Sequence, residues 1–216
     1  MPYFPIFTDI KDKTVLIAGG GRMAERKLKS LAAFKPCVVL CAPEISGETE
    51  GTIKKLKAQG LEIRLIKRPF EENDLNGVFI CIAATDDRQV NAHISGLCAK
   101  KGIPVNVVDD PGLCSFNFPA LVLRGELTVG ISTAGLSPAA AGGTRRLIDG
   151  MLSDNAGDIV SYLGSIREKV FELTKGREGL RSKMFSGLYE LCMEKDRGLS
   201  EEEFRAFIEN LLKAGV

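Results

Sequence analysis

From Thr14 to about Asp110, short β-branched apolar runs alternate with stretches whose apolar residues recur at helical spacing, the signature of parallel β-α-β units. Thr14 to Ala18 reads as the first strand, and Ala24, Leu28, Leu31 and Ala32 then mark a helix. Cys37 to Ala42 forms a second strand that ends at Pro43, and Leu61, Ile63 and Leu65 alternate as a strand with one buried face. Val78 to Ala84 is apolar on both faces, as a central position in a covered sheet demands. Asp86 is placed to cap a helix with the stripe Val90, Ile94, Leu97 and Cys98, which Gly102 ends before a fifth strand, Pro104 to Val108.

The pattern then changes. Leu121 to Arg124, Gly125, and Leu127 to Ser132 predict two strands joined by a tight turn, and Ser137-Pro138 is a helix start. Beyond about Asn155 the chain is helical throughout, and Ser200 with Glu203 forms a capping box for the last helix. The expected fold class is α/β, with a Rossmann-type parallel sheet over residues 1–110, a small α+β region over 111–150 and an all-helical domain over 151–216.

The candidate chemistry begins at the first strand-to-helix turn. Gly19-Gly20-Gly21-Arg22-Met23-Ala24 fits the dinucleotide fingerprint: Gly19 makes the tight turn, Gly21 lets a pyrophosphate approach, and Ala24 packs the helix on the strand. The helix amides then face the phosphates. The acid expected on the ribose at the end of the second strand is replaced by Cys41, Ala42 and Pro43, with Glu44 slightly late, and Arg22 at a phosphate keeps NADP open beside NAD. Thr85, in the turn after the fourth strand, faces the same edge and is a candidate for ribose or pyrophosphate.

The other polar cluster is Asn106, Asp109, Asp110, Cys114, Ser115 and Asn117. Asp109, at the end of a buried strand, is either a general base whose pKa is raised by partial burial or one of two acids in a solvated turn before Pro111. No tyrosine among Tyr3, Tyr162 and Tyr189 has Lys four residues later, which disfavours a short-chain dehydrogenase. An S-adenosylmethionine methyltransferase and a nucleotide-sensing regulatory domain share the glycine turn and stay open on these residues alone.

Composition removes other classes. A net charge of +1 gives no basic surface for nucleic acid, and no apolar run reaches the roughly 18 residues of a membrane span. With no signal-like N-terminus the chain is expected in the cytoplasm. The six cysteines form no C-x-x-C pair and a single histidine, His93, lies on a helix, so a fixed metal site is not expected.

Four blocks carry a resemblance: Ile17 to Lys27, Ala83 to Asp87 with Val90-Asn91, Asn106 to Pro111, and Ile131 to Pro138. In order and spacing, over about residues 4–150, they resemble the precorrin-2 dehydrogenase family, which includes the dehydrogenase/ferrochelatase module of sirohaem synthase. The resemblance implies NAD-dependent oxidation of precorrin-2 to sirohydrochlorin, in a homodimer whose middle region pairs the subunits. It places the catalytic acid on Asp109, nucleotide contacts on Arg22, Met23, Pro43 and Glu44, and the tetrapyrrole cleft beside Ser132, Thr133 and Ser137. Asn106 and Ser115 fall in the same region, and Arg124, Arg145 and Arg146 are expected to meet the carboxylates of that substrate. Some relatives also insert metal into sirohydrochlorin, for which Asp109, Asp110 or Cys114 would be the bases. Ending at Val216 without a methyltransferase domain, the chain is expected to be a stand-alone module. After Pro138 the pattern departs from the family, with Gly142-Gly143 inside a helix at a cost of roughly 1 kcal/mol each.

Overall fold

The structure is a computed structural model that describes residues 3–213, and it divides into a compact unit over Phe4–Phe118 and a second from Pro119 onward. In the first unit β1 (Thr14–Ala18), β2 (Cys37–Cys41), β3 (Ile63–Ile66), β4 (Ile80–Ala83) and β5 (Val105–Val107) form one parallel sheet in the order β3-β2-β1-β4-β5. Helices α1 (Arg22–Ala32), α2 (Gly47–Ala58) and α3 (Arg88–Lys101) make the crossovers. The expected α/β, Rossmann-type class is therefore what the chain adopts.

The burial follows from strand position. Val15 to Ala18 and Ile80 to Ala83, at the middle of the sheet, are buried without a break, so alternate side chains fill two separate cores. One core holds Val15, Ile17, Leu28 and Ile82 under α1 and α2; the other holds Leu16, Cys81, Ile94 and Cys98 under α3. At the edge, entering and along β3, buried Leu61 and Ile63 alternate with exposed Glu62 and Arg64, which is the alternation seen in the sequence. Because every strand runs the same way, the ends of β1, β2, β4 and β5 open on one edge of the sheet.

In the second unit β6 (Ala120–Arg124) pairs antiparallel with β7 (Leu127–Ile131), followed by α4 (Pro138–Met151), α5 (Ala156–Ser165), α6 (Arg167–Leu173), α7 (Glu178–Lys195) and α8 (Glu201–Lys213). Ser137 caps α4 by accepting from the Ala140 amide at 3.1 Å, and α4 stays continuous through Gly142 and Gly143. The Ser200 and Glu203 box is reciprocal, at 2.8 and 3.2 Å. One cap differs from the sequence expectation. Asp87, not Asp86, takes the Gln89 and Val90 amides at 2.7 and 3.2 Å, because α3 begins one residue later.

All six cysteines are free thiols, and among the described residues no helix is long and apolar enough to cross a membrane.

Candidate active site

The three glycines after β1 meet three different surroundings. Gly19 has φ +127° and a Cβ there would lie 2.2 Å from the Ala84 carbonyl oxygen, so the turn clears β4 only as glycine. A Cβ on Gly20 would lie 2.1 Å from the Glu44 carbonyl oxygen, a contact that the fingerprint, which leaves this position free, gives no reason to expect. Gly21 is exposed with nothing within 4 Å of its Cβ position, so space is open where a ligand would pass the chain. Backbone bonds fix the turn, from the Gly19 amide to Cys41 at 2.8 Å and from the Ser46 amide to Gly20 at 3.1 Å.

Gly21 is also the N-cap of α1, and no side chain takes the first-turn amides. They are directed at the open space over Gly21, which fits a pyrophosphate. Arg22 is exposed at the same terminus, Met23 is half-buried and Ala24 is fully buried against the sheet. Glu25, the acid of that first turn, is bonded to Lys29 at 2.7 Å and Thr52 at 2.6 Å, and these two partners hold its carboxyl below the usual range. Its charge is compensated there instead of opposing an anion.

At the end of β2, Pro43 and Glu44 are exposed beside the glycine turn. The position of the expected ribose acid is taken by Cys41, which is buried, and its thiol is directed at the Arg68 carbonyl (3.4 Å) and the Asp74 carboxylate (3.7 Å). Burial, then the charge of Asp74, pushes that thiol up to about 11, so it stays neutral. Arg68 grips Asp74 through two bonds of 2.8 and 2.7 Å, and Asp74 also accepts the Glu71 amide at 2.9 Å. The guanidinium beside Asp74 holds that carboxyl below its ordinary value. The sequence reading passed over this pair; its one local sign was the cap-like spacing of Glu71 and Asp74 just after Arg68.

Thr85, after β4, is clamped by buried Asn91. The Thr85 amide donates to Asn91 Oδ1 at 3.1 Å, its hydroxyl lies 2.7 Å from the same oxygen, and Asn91 Nδ2 donates back to the Thr85 carbonyl at 2.9 Å. With its one proton committed to Asn91 or the Asp87 carbonyl, the hydroxyl can meet a ribose only as an acceptor.

After β5 the chain folds back on the strand. Ser115 Oγ accepts from the Val105 amide at 2.8 Å, Cys114 Sγ lies 3.1 Å from the Val107 amide and 3.2 Å from its carbonyl, and buried Asn106 donates to the Phe116 carbonyl at 3.2 Å. Asn106 Oδ1 is buried with no partner among the described residues.

The sequence leaves Asp109 as either a partly buried base or part of a solvated turn; the structure has it exposed in a turn, with φ of +60° two residues beyond β5. Asp110 pairs with Arg88 at 3.0 Å, whereas the Asp109 carboxylate has no ion pair or hydrogen bond among the described residues. Of the two adjacent acids, Asp109 is the free one. His93 is exposed on α3, and among the described residues no group of three His, Cys, Asp or Glu is placed to hold a metal ion.

The remaining candidates sit in the second unit. Ser132 accepts the Ala134 amide at 3.2 Å, and Thr133 donates to the Ser137 carbonyl at 3.0 Å and accepts its amide at 3.3 Å. Ala134 and Gly135 both have positive φ, so residues 132–137 make a compact turn that ends in the α4 cap. Arg124 and Arg145 converge on one carboxylate, Asp149, at 2.9 and 3.3 Å. Sequence spacing hid that pairing, and it leaves Arg146 as the arginine of this group that is exposed and outside an ion pair among the described residues.

A family model described as "Putative NAD(P)-binding" matches residues 6–120, more than half of the chain. The chain belongs to that NAD(P)-binding family. It is 41% identical over 170 residues to the "Siroheme synthase" of Methylococcus capsulatus, a match covering 79% of this chain and 35% of that protein. To the "Siroheme synthase" of a Psychrobacter species it is 32% identical over 206 residues, covering 94% of this chain and 41% of that one. The chain thus spans about two-fifths or less of the length of these curated relatives. Among solved structures, "SirC, precorrin-2 dehydrogenase" superposes with a TM-score of 0.69 at 24% identity, covering 98% of this chain and 100% of that one, which shows the shared fold. The NAD(P)-binding assignment covers the glycine turn, the end of β2, Thr85 and Asp109 alike.

Proposed function

We propose that this chain is a precorrin-2 dehydrogenase that uses NAD to oxidise its substrate to sirohydrochlorin. The observation that carries the proposal is the free carboxylate of Asp109 on the same sheet edge as the open, uncapped glycine turn. Similarity to the sirohaem synthases and the fold shared with a precorrin-2 dehydrogenase support the choice of substrate.

Bound NAD supplies the hydride acceptor. The first-turn amides of α1 and Arg22 hold the pyrophosphate, Met23, Ala24, Pro43 and Glu44 flank the nucleotide, and Thr85 Oγ accepts from a ribose hydroxyl. Asp109 takes the proton released as the substrate loses a hydride, so two hydrogens leave together as hydride and proton. Neutralisation of Arg68 by Asp74 supports NAD over NADP, because the guanidinium at the end of β3 is not free for a 2′-phosphate. Asn106 and Ser115 shape the loop that carries Asp109, and Ser132, Thr133, Ser137, Arg124 and Arg145 form the substrate-facing part of the second unit. Residues 1–110 then carry the nucleotide chemistry, residues 111–150 pair the subunits, and residues 151–216 form the helical domain.

Pairing into a homodimer is supported by the surface of the second unit: α4 has no buried residue, and Leu136, Leu147 and Met151 are 88%, 70% and 83% exposed. The reading places the enzyme in the cytoplasm. Metal insertion into sirohydrochlorin, with Asp109 accepting pyrrole protons, is a second activity that the same open carboxylate supports, and iron would be a substrate there.

Anaerobic incubation of the purified chain with precorrin-2 and NAD, followed by the absorbance of sirohydrochlorin, tests the reading. No conversion with either NAD or NADP would end it. A nucleotide sensor without catalysis would instead bind NAD and be indifferent to Asp109→Asn.

A further inference from the structure

Lys27 is a group that the mechanism above leaves unused. It lies one turn beyond Arg22 to Ala24 on α1, half-buried, with Nζ 3.9 Å from the centroid of the Phe118 ring. Phe118 and Phe116, 5.4 Å apart, pack with Val108 against the core beneath α1, so the segment that carries Asp109 is laid across the helix at Lys27. Of the carboxylates around it, Glu25 binds Lys29 at 2.7 Å, Asp110 binds Arg88 at 3.0 Å, and Asp109, which faces Lys27 without a partner of its own, stays beyond ion-pair distance. Among the described residues none comes within 4.0 Å of Lys27 Nζ.

A lysine held on a ring face, partly out of water and without a counterion, is an unfinished ion pair. We propose that Lys27 is a further binding residue of the active site, whose ammonium receives a carboxylate of the substrate beside Asp109. This rests on the reading that the substrate is a tetrapyrrole polycarboxylate. Its ammonium is held over the Phe118 ring, on the face of α1 covered by the segment after β5, and it is there that the substrate carboxylate is received. The groups facing Lys27 are Arg26 on its own helix and Asp109 and Cys114 on the segment after β5. Burial, then the charge of Arg26, brings its pKa down to about 8, against smaller opposing effects of Cys114 and Asp109. A carboxylate that docks on the ammonium restores the missing counterion and returns the pKa toward about 10.4.

The sign is then fixed. Free Lys27 is charged below pH 8 and neutral above it, so affinity for the substrate falls as pH rises through 8. With these two values, binding weakens about thirtyfold between pH 7 and pH 9.5.

The test titrates the NAD-loaded full chain with uroporphyrin III, a polycarboxylate tetrapyrrole that cannot be oxidised by this route, and follows fluorescence at pH 7 and pH 9.5. The expected result is weaker binding at the higher pH for the parent, and weak, pH-independent binding for Lys27→Met. Lys27→Arg keeps a cation on Phe118 and does not titrate, so it should bind tightly at both values. That variant separates a contact with the ligand from a mere clip on the loop, and guards against loss of fold in Lys27→Met. Equal, pH-independent binding by parent and Lys27→Met overturns the role of Lys27 and leaves the dehydrogenase reading standing. Failure of the parent to bind at either pH overturns both.

Discussion

Gly21→Asp should abolish nucleotide binding while leaving the fold intact, and the two halves of that statement have separate structural origins. Gly21 has φ −90° and ψ −169°, ordinary extended backbone, and nothing lies within 4 Å of its Cβ position. An aspartate therefore enters without strain, and as N-cap of α1 it can accept from the free first-turn amides. Asp and Gly differ by only a few tenths of a kcal/mol at an N-cap, so stability should hold or rise slightly. The same carboxylate occupies the amides that a pyrophosphate needs and sits about 4 Å from it. At an effective dielectric near 20, two like charges at that distance repel by about 4 kcal/mol, a loss of roughly three orders of magnitude in affinity. Calorimetric titration with NAD, paired with thermal unfolding of the nucleotide-free protein, reads both. An NAD Kd within threefold of the parent would refute the placement of the pyrophosphate, and a large fall in Tm would refute the claim that Gly21 is there for the ligand and not for the fold.

Gly20→Ala should do the reverse: its Cβ meets the Glu44 carbonyl at 2.1 Å, so a loss of about 1–3 kcal/mol and a lower Tm are expected, visible by calorimetry without any ligand. Asp74→Asn should release Arg68 from its ion pair and raise the NADP-to-NAD ratio of kcat/KM about tenfold or more, the worth of one charged hydrogen bond; an unchanged ratio would remove Arg68 from cofactor choice. Asp109→Asn should lower kcat by about 10²–10⁴ with the NAD Kd unchanged, and a rate within twofold of the parent would show that the proton goes elsewhere.

What could be read from the chain was whatever depends on neighbours in sequence. The passage from the apolar run Thr14–Ala18 through three glycines to a helical stripe is local, and β4, apolar on both faces, had to be central. The Ser137 and Ser200 caps lie within three residues of the amides they meet. The rest depends on contacts that spacing does not encode. Gly20 is constrained by a carbonyl 24 residues on, Arg124 and Arg145 meet at Asp149, and Cys41 faces Asp74 across a strand end. The sequence leaves the exposure of Asp109 open between a partly buried base and a solvated turn, because spacing does not show where the strand lets go of the chain. The chain turns through a left-handed residue two positions beyond β5, and nothing in an N-V-V-D run announces a positive φ.

That left-handed turn bears on why Asp109 is the residue to watch. Asp196 adopts the same conformation, with φ +51° against +60° at Asp109, and such a backbone is one that Asp tolerates better than most residues. At Asp196 the side chain is put to structural use: its carboxylate accepts from Asn155 Nδ2 at 3.0 Å and from the Ser153 hydroxyl, tying the end of α7 to the start of α5. At Asp109 the neighbours do that work instead, with Cys114, Ser115 and Asn106 bonding the loop to β5. The carboxylate itself contributes no bond to the fold. On the proposed reading, that leaves the carboxylate available to a partner from solution. An exposed carboxylate becomes an effective base only once water is displaced from it. If the chain is the proposed dehydrogenase, its tetrapyrrole substrate would supply that displacement, and Asp109 would come into its working environment only when the molecule it acts on had arrived.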